Sequence, residues 1–396
     1  MADQATTIPK GWKMTTLGEV GVTVTGKTPS KDNPEDWGDF LDFITPTDIS
    51  SDSKYLKKVA RKLSEEGANR FKKMIVPSKS VVVTCIGSDM GKVVMNENEA
   101  LTNQQINSIK INSENDKDYI FYLLKDSYSI LRNIAVGGST MPILNKTTFE
   151  SLEFLITSLP EQHAIASVLS SLDDKIELLR EQNKALEATA QAIFKEWFVN
   201  FNFPGATGKM IDSELGEIPE GWRVGTVNDV IERFSITYRC DQGDLSPKGK
   251  TPIFDQGTSG LYGYTERDAD FQASTENPVI LFTNHTCNMW FVNYPFCAIQ
   301  NVIPFRGNAD YSTFFVFYMT LGKVKFIEYK GHWPDFEQKK HIIPKPETAN
   351  QFAEFVKPLQ YKIWNNNSEV ETLSKLRDTL LPKLMKGEVR IKDFDR

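Results

Sequence analysis

Ile8-Pro9-Lys10-Gly11-Trp12-Lys13 returns as Ile218-Pro219-Glu220-Gly221-Trp222-Arg223, 210 positions further along the chain. The correspondence continues at the same spacing: Thr16 answers Thr226, Glu19 answers Asp229 and Val20 answers Val230. Solenoid repeats recur every ~20–50 residues, so this period is far too long for one. The chain therefore reads as two half-molecules built to one plan.

Each half then runs the same course. Short runs of β-type residues follow the motif, among them Ser80–Ile86 and Pro278–Thr283, separated by Gly, Pro, Asn and Asp. A proline-marked start comes next, Ser158-Leu159-Pro160-Glu161-Gln162 in one half and Pro344-Lys345-Pro346-Glu347-Thr348 in the other. A long helical pattern follows each, from about His163 to Val199 and from about Asn350 to Lys386. Asn202–Gly208 reads as a linker. The expected organisation is a mixed domain over 1–160, a long helix and linker over 161–202, a second mixed domain over 203–345, and a second long helix with a tail over 346–396.

The two helical patterns carry matching seams. Leu169, Leu172, Ile176, Leu179, Asn183, Leu186, Ala190, Ile193 and Trp197 alternate spacings of three and four. Phe352, Val356, Leu359, Ile363, Asn366, Val370, Leu373, Arg377 and Leu380 do the same. Such alternation makes the a and d positions of a coiled coil. Laid antiparallel with their centres together, the helices set Leu169 on Leu380, Ile176 on Leu373, Leu179 on Val370, Leu186 on Ile363 and Trp197 on Phe352. Asn183 then falls on Asn366. A buried amide facing an apolar side chain loses its hydrogen bonds, so pairing the two fixes the register. At ~1.5 Å per residue such helices are roughly 55 Å long, enough to hold two similar readers at a fixed spacing for a two-part target on a duplex. The expected fold class is α+β: two similar mixed domains and an antiparallel pair of long helices, related by an approximate two-fold axis.

Composition narrows the function. Of 396 residues, 40% are hydrophobic and 25% charged, an ordinary globular balance. No apolar run nears the ~20 residues of a membrane helix. Met1–Lys13 has no apolar signal core, and four cysteines without a C-x-x-C pair make no disulfide framework. These features point to a soluble, cytoplasmic protein. The net charge of −6 is unusual for a nucleic-acid binder. Locally the sign reverses: between Lys54 and Lys73 eight basic residues, Lys57, Lys58 and Arg61 among them, face two acidic ones. Such a run is equally the mark of a solvated face.

Catalytic signatures are weak. Gly21–Thr28 fits the phosphate-loop pattern G-x-x-x-x-G-K-[ST], the basis of an alternative reading as an ATPase. Its four central residues are β-branched, however, and Pro29 and Pro34 stand where the helix should open. His285, Cys287 and Cys297 lack metal-ligand spacing, and Cys287 reads as a small buried hydrophobe. Glu328 and Lys330 have no well-placed upstream Asp to complete a nuclease site. No metal site and no catalytic residue is expected.

What remains are polar and aromatic loop clusters suited to reading bases. In the first half they hold Lys27, Thr28, Ser30, Lys31, Thr45, Thr47, Asn103, Gln104, Gln105, Ser139 and Thr140. In the second they hold Gln256, Tyr262, Asn284, Gln300, Asn301, His332 and Trp333. Asn and Gln can contact adenine with two hydrogen bonds, Lys and Arg reach guanine or phosphate, and Thr serves either. A scaffold whose domains bind protein instead of DNA is a further alternative.

Taken together the pattern resembles the specificity subunits of type I restriction-modification systems. The resemblance covers nearly the whole chain. It rests on the doubled I-P-x-G-W, Gly26-Lys27-Thr28-Pro29-Ser30, Thr102-Asn103-Gln104-Gln105, Gly138-Ser139-Thr140-Met141-Pro142 and Leu159-Pro160-Glu161-Gln162. The second half departs at Gly331-His332-Trp333-Pro334 and Pro346-Glu347-Thr348. The resemblance implies two target-recognition domains that read a bipartite double-stranded DNA sequence, with the helices as spacers. It implies no catalysis by this chain. Two methyltransferase subunits would dock on the helices and modify adenine with S-adenosylmethionine, and two restriction subunits working with ATP and Mg could join them.

Overall fold

Both copies of the repeated motif make the same tight turn in the computed structural model, which describes residues 8–391 apart from 51, 88, 135–142, 236–239, 258, 327 and 329. Trp12 N–H donates to the Pro9 carbonyl and Trp222 N–H to the Pro219 carbonyl, each at 3.0 Å. Gly11 and Gly221 occupy the left-handed region, at φ 86° and 84°, where a Cβ is strained. The turn drops each tryptophan into the core of its half, 7% and 4% exposed. The next repeated residues cap. Thr16 N–H donates to Glu19 at 2.8 Å and Thr226 N–H to Asp229 at 2.7 Å, each closing a capping box. Those backbone donors hold both carboxyls below their ordinary range.

The chain divides into two units, 1–179 with 369–396, and 180–368. The first runs β1 (Lys13–Thr16), α1 (Leu17–Val20), β2 (Gly21–Thr25), β3 (Trp37–Gly38), β4 (Leu41–Ile44), β5 (Arg61–Leu63), α2 (Glu65–Arg70), β6 (Val81–Thr84), β7 (Val93–Met95), β8 (Ala100–Thr102), β9 (Ile106–Ile111), α3 (Lys117–Asp126), α4 (Tyr128–Ile134), α5 (Lys146–Glu150), β10 (Glu153–Ile156) and into α6 (Leu159–Phe198). The rest runs β11 (Met210–Ile211), β12 (Ile218–Pro219), β13 (Arg223–Thr226), β14 (Ile231–Arg233), β15 (Thr251–Phe254), β16 (Leu261–Thr265), β17 (Val279–Thr283), β18 (Met289–Val292), β19 (Cys297–Ala298), β20 (Val302–Gly307), α7 (Thr313–Thr320), α8 (Trp333–Glu337), β21 (Lys340–Ile343) and α9 (Pro346–Met385).

The repeat extends to strand order. The first unit has a sheet β2-β9-β6-β7 and a sheet β3-β5-β4-β8; the second has β14-β20-β17-β18 and β16-β15-β19. The β4–β8 pair is parallel in one and β15–β19 is parallel in the other. The pair that follows each motif also matches: β1 lies antiparallel to β10, and β13 to β21. In each unit a buried, aromatic-rich helix, α3 or α7, belongs to the main core. The cores differ in character. The second is dominated by aromatic contacts, with Phe198 5.0 Å from Phe315 and 5.8 Å from Trp222.

Both long helices start four residues earlier than their apolar pattern suggests, because the prolines read as boundary marks lie in the first turn. There the missing N–H costs nothing and the fixed φ suits the helix. Within the first unit, Arg377 donates to Asp173 at 2.6 Å, and Tyr122 donates to the same carboxylate at 2.8 Å. Burial pushes the Tyr122 pKa up. Lys175 on α6 pairs with Glu369 on α9 at 3.5 Å. Within the second unit, Asn366 meets Asn183 at 2.8 Å, and the Trp197 ring lies 5.9 Å from Phe352. The expected antiparallel register is therefore present. It is richer than one amide pair, since Gln182 and Asn367 also join. Arg377, placed in the seam by spacing, is a buried ion pair and not an apolar contact.

The start motif of α6 has a structural role. Glu161, 1% exposed, takes two hydrogen bonds from Arg390, at 2.6 and 2.7 Å. Gln162 accepts from Asp116 N–H at 2.9 Å, the residue that caps α3. In the second unit Asn350 accepts from Ser312 N–H at 2.9 Å, the residue that caps α7. The departure at Pro346-Glu347-Thr348 is thus a relocation: an amide two positions on takes over the work.

Candidate nucleic-acid interface

Three loops of the first unit converge at the ends of paired strands. Asn103 N–H donates to the Ile44 carbonyl at 2.9 Å, which ties the turn between β8 and β9 to the end of β4. Thr28 donates to Gln104 at 2.7 Å, bringing in the loop after β2. Gly26 permits this approach, because a Cβ there would lie 1.9 Å from the Thr102 carbonyl oxygen. Cys85 N–H then donates to the Gln105 carbonyl, and Leu144 N–H to the Cys85 carbonyl, both at 2.8 Å.

The second unit repeats this frame with its own loops. Ile299 N–H donates to the Phe254 carbonyl at 3.0 Å, Asn284 N–H to Asn301 at 2.8 Å, and His332 N–H to Asn284 at 2.8 Å. Thr84 and Thr283 close equivalent turns, accepting from Lys92 N–H at 3.0 Å and Asn288 N–H at 2.8 Å. Sequence reasoning placed Thr283 beside Asn284 in a polar loop cluster and missed Thr84 as a site residue. Their signal was present, as a Thr ending each β-type run, VVVT and ILFT. His285, of the same cluster, has its ring Nδ1 at 2.8 Å from the Lys330 carbonyl. Two residues of this cluster, Cys287 and Asn301, have positive φ, at 56° and 68°. Asn tolerates that conformation, and it aims the turn into β20. Cys287 is half-buried at its turn rather than fully buried as expected.

The frame sorts the expected site residues. Lys27, Ser30, Lys31, Thr47, Gln104, Tyr262 and Gln300 are exposed, and Thr28, Gln105 and Asn301 half-buried. Lys27 and Lys31 make no ion pair among the described residues. Other side chains are committed inward. Thr45 donates to Asp48 at 2.6 Å, and Asn103 accepts from Gln105 N–H at 2.9 Å. Gln256 accepts from His285 N–H at 2.9 Å, and Asn284 from Trp333 N–H at 2.8 Å. Ser139 and Thr140 lie outside the described residues.

Two expectations are corrected. His332 and Trp333 are buried, 1% and 6% exposed, with Trp333 packed against Phe282, Phe305 and Phe336. The Gly-His-Trp-Pro stretch supplies core, because its indole finds an aromatic nest. The basic run is also largely neutralised. Lys54 is buried against Asp118 at 2.7 Å, Lys57 pairs with Glu177, Lys62 with Asp42 and Arg70 with Asp36. The exposed Arg61 stacks over Trp37 at 4.5 Å. Among the basic residues from 54 to 73, only Lys58, Lys72 and Lys73 have neither an ion pair nor a ring contact among the described residues. Lys57, Lys58 and Lys62 rim a groove of about 230 Å³ with Asp42 and Asn96.

Gly21–Thr25 is strand β2, paired along its length with β9, and no helix opens at Lys27. A phosphate loop needs a helix N-terminus there, so the local geometry does not fit the ATPase alternative. No helix among the described residues is long and apolar enough to cross a membrane.

Two like units each offer exposed polar side chains on a hydrogen-bonded loop frame. Residues 9–188 match the family described as type I restriction modification DNA specificity domain. The type I restriction enzyme MjaIX specificity subunit of Methanocaldococcus jannaschii is 28% identical over 414 residues, spanning 98% of this chain and 95% of that one. The HindI specificity subunit of Haemophilus influenzae is 36% identical over 153 residues, 38% of this chain and 33% of its own. The crystal structure of a type-I restriction-modification system S subunit from M. genitalium shares the fold, with a TM-score of 0.57 at 17% identity over 94% of this chain and 96% of that one. The chain therefore carries a type I restriction modification DNA specificity domain over residues 9–188, and over nearly its whole length it is similar to type I restriction enzyme specificity subunits.

Proposed function

We propose that each unit reads one half of a bipartite double-stranded DNA target through its loop cluster. The observation that carries this reading is the duplicated frame. Backbone bonds tie the loops together in both units, while the polar side chains on them differ, exposed Gln104 and half-buried Gln105 in one and exposed Gln300 and half-buried Asn301 in the other. A constant frame with variable polar tips is what two readers of different sequences need.

In this reading the chain performs no catalysis. It directs two methyltransferase subunits, which carry S-adenosylmethionine, to adenine in the target, and two restriction subunits working with ATP and Mg where these are present. The complex works in the cytoplasm. Of the lysines at the loop cluster, Lys27 and Lys31 are exposed, and partner subunits supply much of the phosphate-neutralising surface.

The test is genome-wide adenine methylation with and without this gene. A two-part motif with a fixed gap should vanish on deletion. Exchanging residues 1–160 for those of another family member should change one half of that motif and leave the other. Change in both halves, or in neither, would overturn the two-reader assignment.

A further inference from the structure

Cys240, Asp270 and Cys297 converge in the second unit from three separate stretches of chain. One ligand atom from each, the two Sγ and a carboxylate oxygen, lies within 4.8 Å of the others. Cys240 and Cys297 are 3% and 0% exposed and pack against Ile253, Leu245 and Ile299. Asp270 Oδ2 is shielded from solvent and has no hydrogen-bond partner. A buried carboxylate oxygen that lacks a hydrogen-bond partner beside two thiols is costly unless something binds it. Arg267 stands alongside, 3.2 Å from Cys240 Sγ, and pairs with Asp270 at 3.5 Å and Asp244 at 3.7 Å.

We propose that Cys240, Cys297 and Asp270 bind a divalent zinc-class cation, with a fourth position for water or a backbone carbonyl such as that of Asp268, 3.7 Å from Cys297 Sγ. A tetrahedral zinc sets thiolate and carboxylate ligand atoms about 3.5–3.8 Å apart, so closing this cluster takes a shift of about 1 Å. The charges balance. On binding, each thiol gives a proton to solvent. Two thiolates and a carboxylate around M²⁺ leave one negative charge, which Arg267 offsets while its N–H groups bond to sulfur and carboxylate.

The site has structural work to do. Cys297 and Ala298 form β19, and Cys240 N–H donates to the Ala298 carbonyl at 3.3 Å. The next residues are Ile299, Gln300 and Asn301, the turn of the loop cluster. A cation here clamps the base of that turn to the strand beside it and to the segment after Asp268.

The full chain, purified under reductant, stripped with chelator and given Zn²⁺ alone, should retain about one equivalent per chain. Given Co²⁺ alone, it should show a near-ultraviolet thiolate-to-cobalt charge-transfer band and the visible bands of tetrahedral cobalt. Both signals should disappear in Cys240→Ser with Cys297→Ser, weaken about 10-fold or more in Asp270→Asn, and persist in Cys287→Ser. The wild-type cobalt spectrum keeps the test decisive even if the double variant misfolds. Retention of no zinc and absence of the thiolate band in folded, reduced wild-type protein would overturn the site. A Cys240–Cys297 disulfide, seen as a mass loss of about 2 Da on air oxidation without metal retention under reductant, would overturn it in favour of a redox pair.

Discussion

Asn366 donates its side-chain amide to the side-chain Oδ1 of Asn183, α9 to α6, across 2.8 Å, with Asn366 wholly buried. A second bond from the same amide reaches Gln182 at 2.8 Å, while Asn366 Oδ1 is left without a partner. This pairing costs stability relative to an apolar one. Its value lies in register, because a shift of either helix strands a buried amide against hydrocarbon.

Replacing both residues by leucine should therefore raise the melting temperature and loosen the pairing. Spin labels at Lys175 and Glu369, which face one another in the native structure, should give one narrow distance distribution in the parent and a broader one in the Asn183→Leu, Asn366→Leu protein. An unchanged narrow distribution would remove the amides from any role in register.

The Asp173–Arg377 pair makes the opposite case. Both side chains are at most 10% exposed. Arg377→Met leaves a buried carboxylate that, among the described residues, keeps its hydrogen bond from Tyr122, and should cost about 3–5 kcal/mol by denaturant titration. Removing both charges, Arg377→Met with Asp173→Leu, should recover most of that stability. A double variant as unstable as the single one would show that packing, not the stranded charge, is what Arg377 provides.

Loop residues should separate by what they touch on the duplex. Gln104→Ala should relax preference in one half-site, and Asn301→Ala in the other, by about 1–3 kcal/mol for each bidentate hydrogen-bond pair to a base. Lys27→Ala should weaken all DNA sequences alike and lower the salt dependence by about one phosphate. Both are read by binding the assembled complex to target and scrambled duplexes at two salt concentrations. A uniform weakening in Gln104→Ala would assign that side chain to the DNA backbone.

His341 sets a pH dependence. Burial, with Lys323 and Lys339 nearby, pushes its pKa from 6.5 down to about 4. The folded group stays neutral where the unfolded one takes a proton, so the unfolded state is favoured on acidification. Stability from this residue is complete above about pH 6.5 and is lost as pH falls toward 4. A shift of this size corresponds to roughly 3 kcal/mol at most. His341→Gln should flatten the stability slope between those pH values, as followed by chemical denaturation.

The amino-acid sequence by itself determined the architecture. The doubled I-P-x-G-W set out two like units, each opening with a turn whose positive φ at Gly11 and Gly221 favours glycine. The three-four spacing specified two long helices, and the single amide in each seam specified their register. These are local or periodic signals, written in the residues that carry them. The tertiary structure decided which side chains are free to act. Spacing could not show that Lys57 is taken by Glu177, that Trp333 sinks among Phe282, Phe305 and Phe336, or that Cys240 lies beside Cys297. Each of these partners is distant in sequence or hidden by its own fold, and whether a polar group faces solvent or a buried neighbour is settled only when the chain packs.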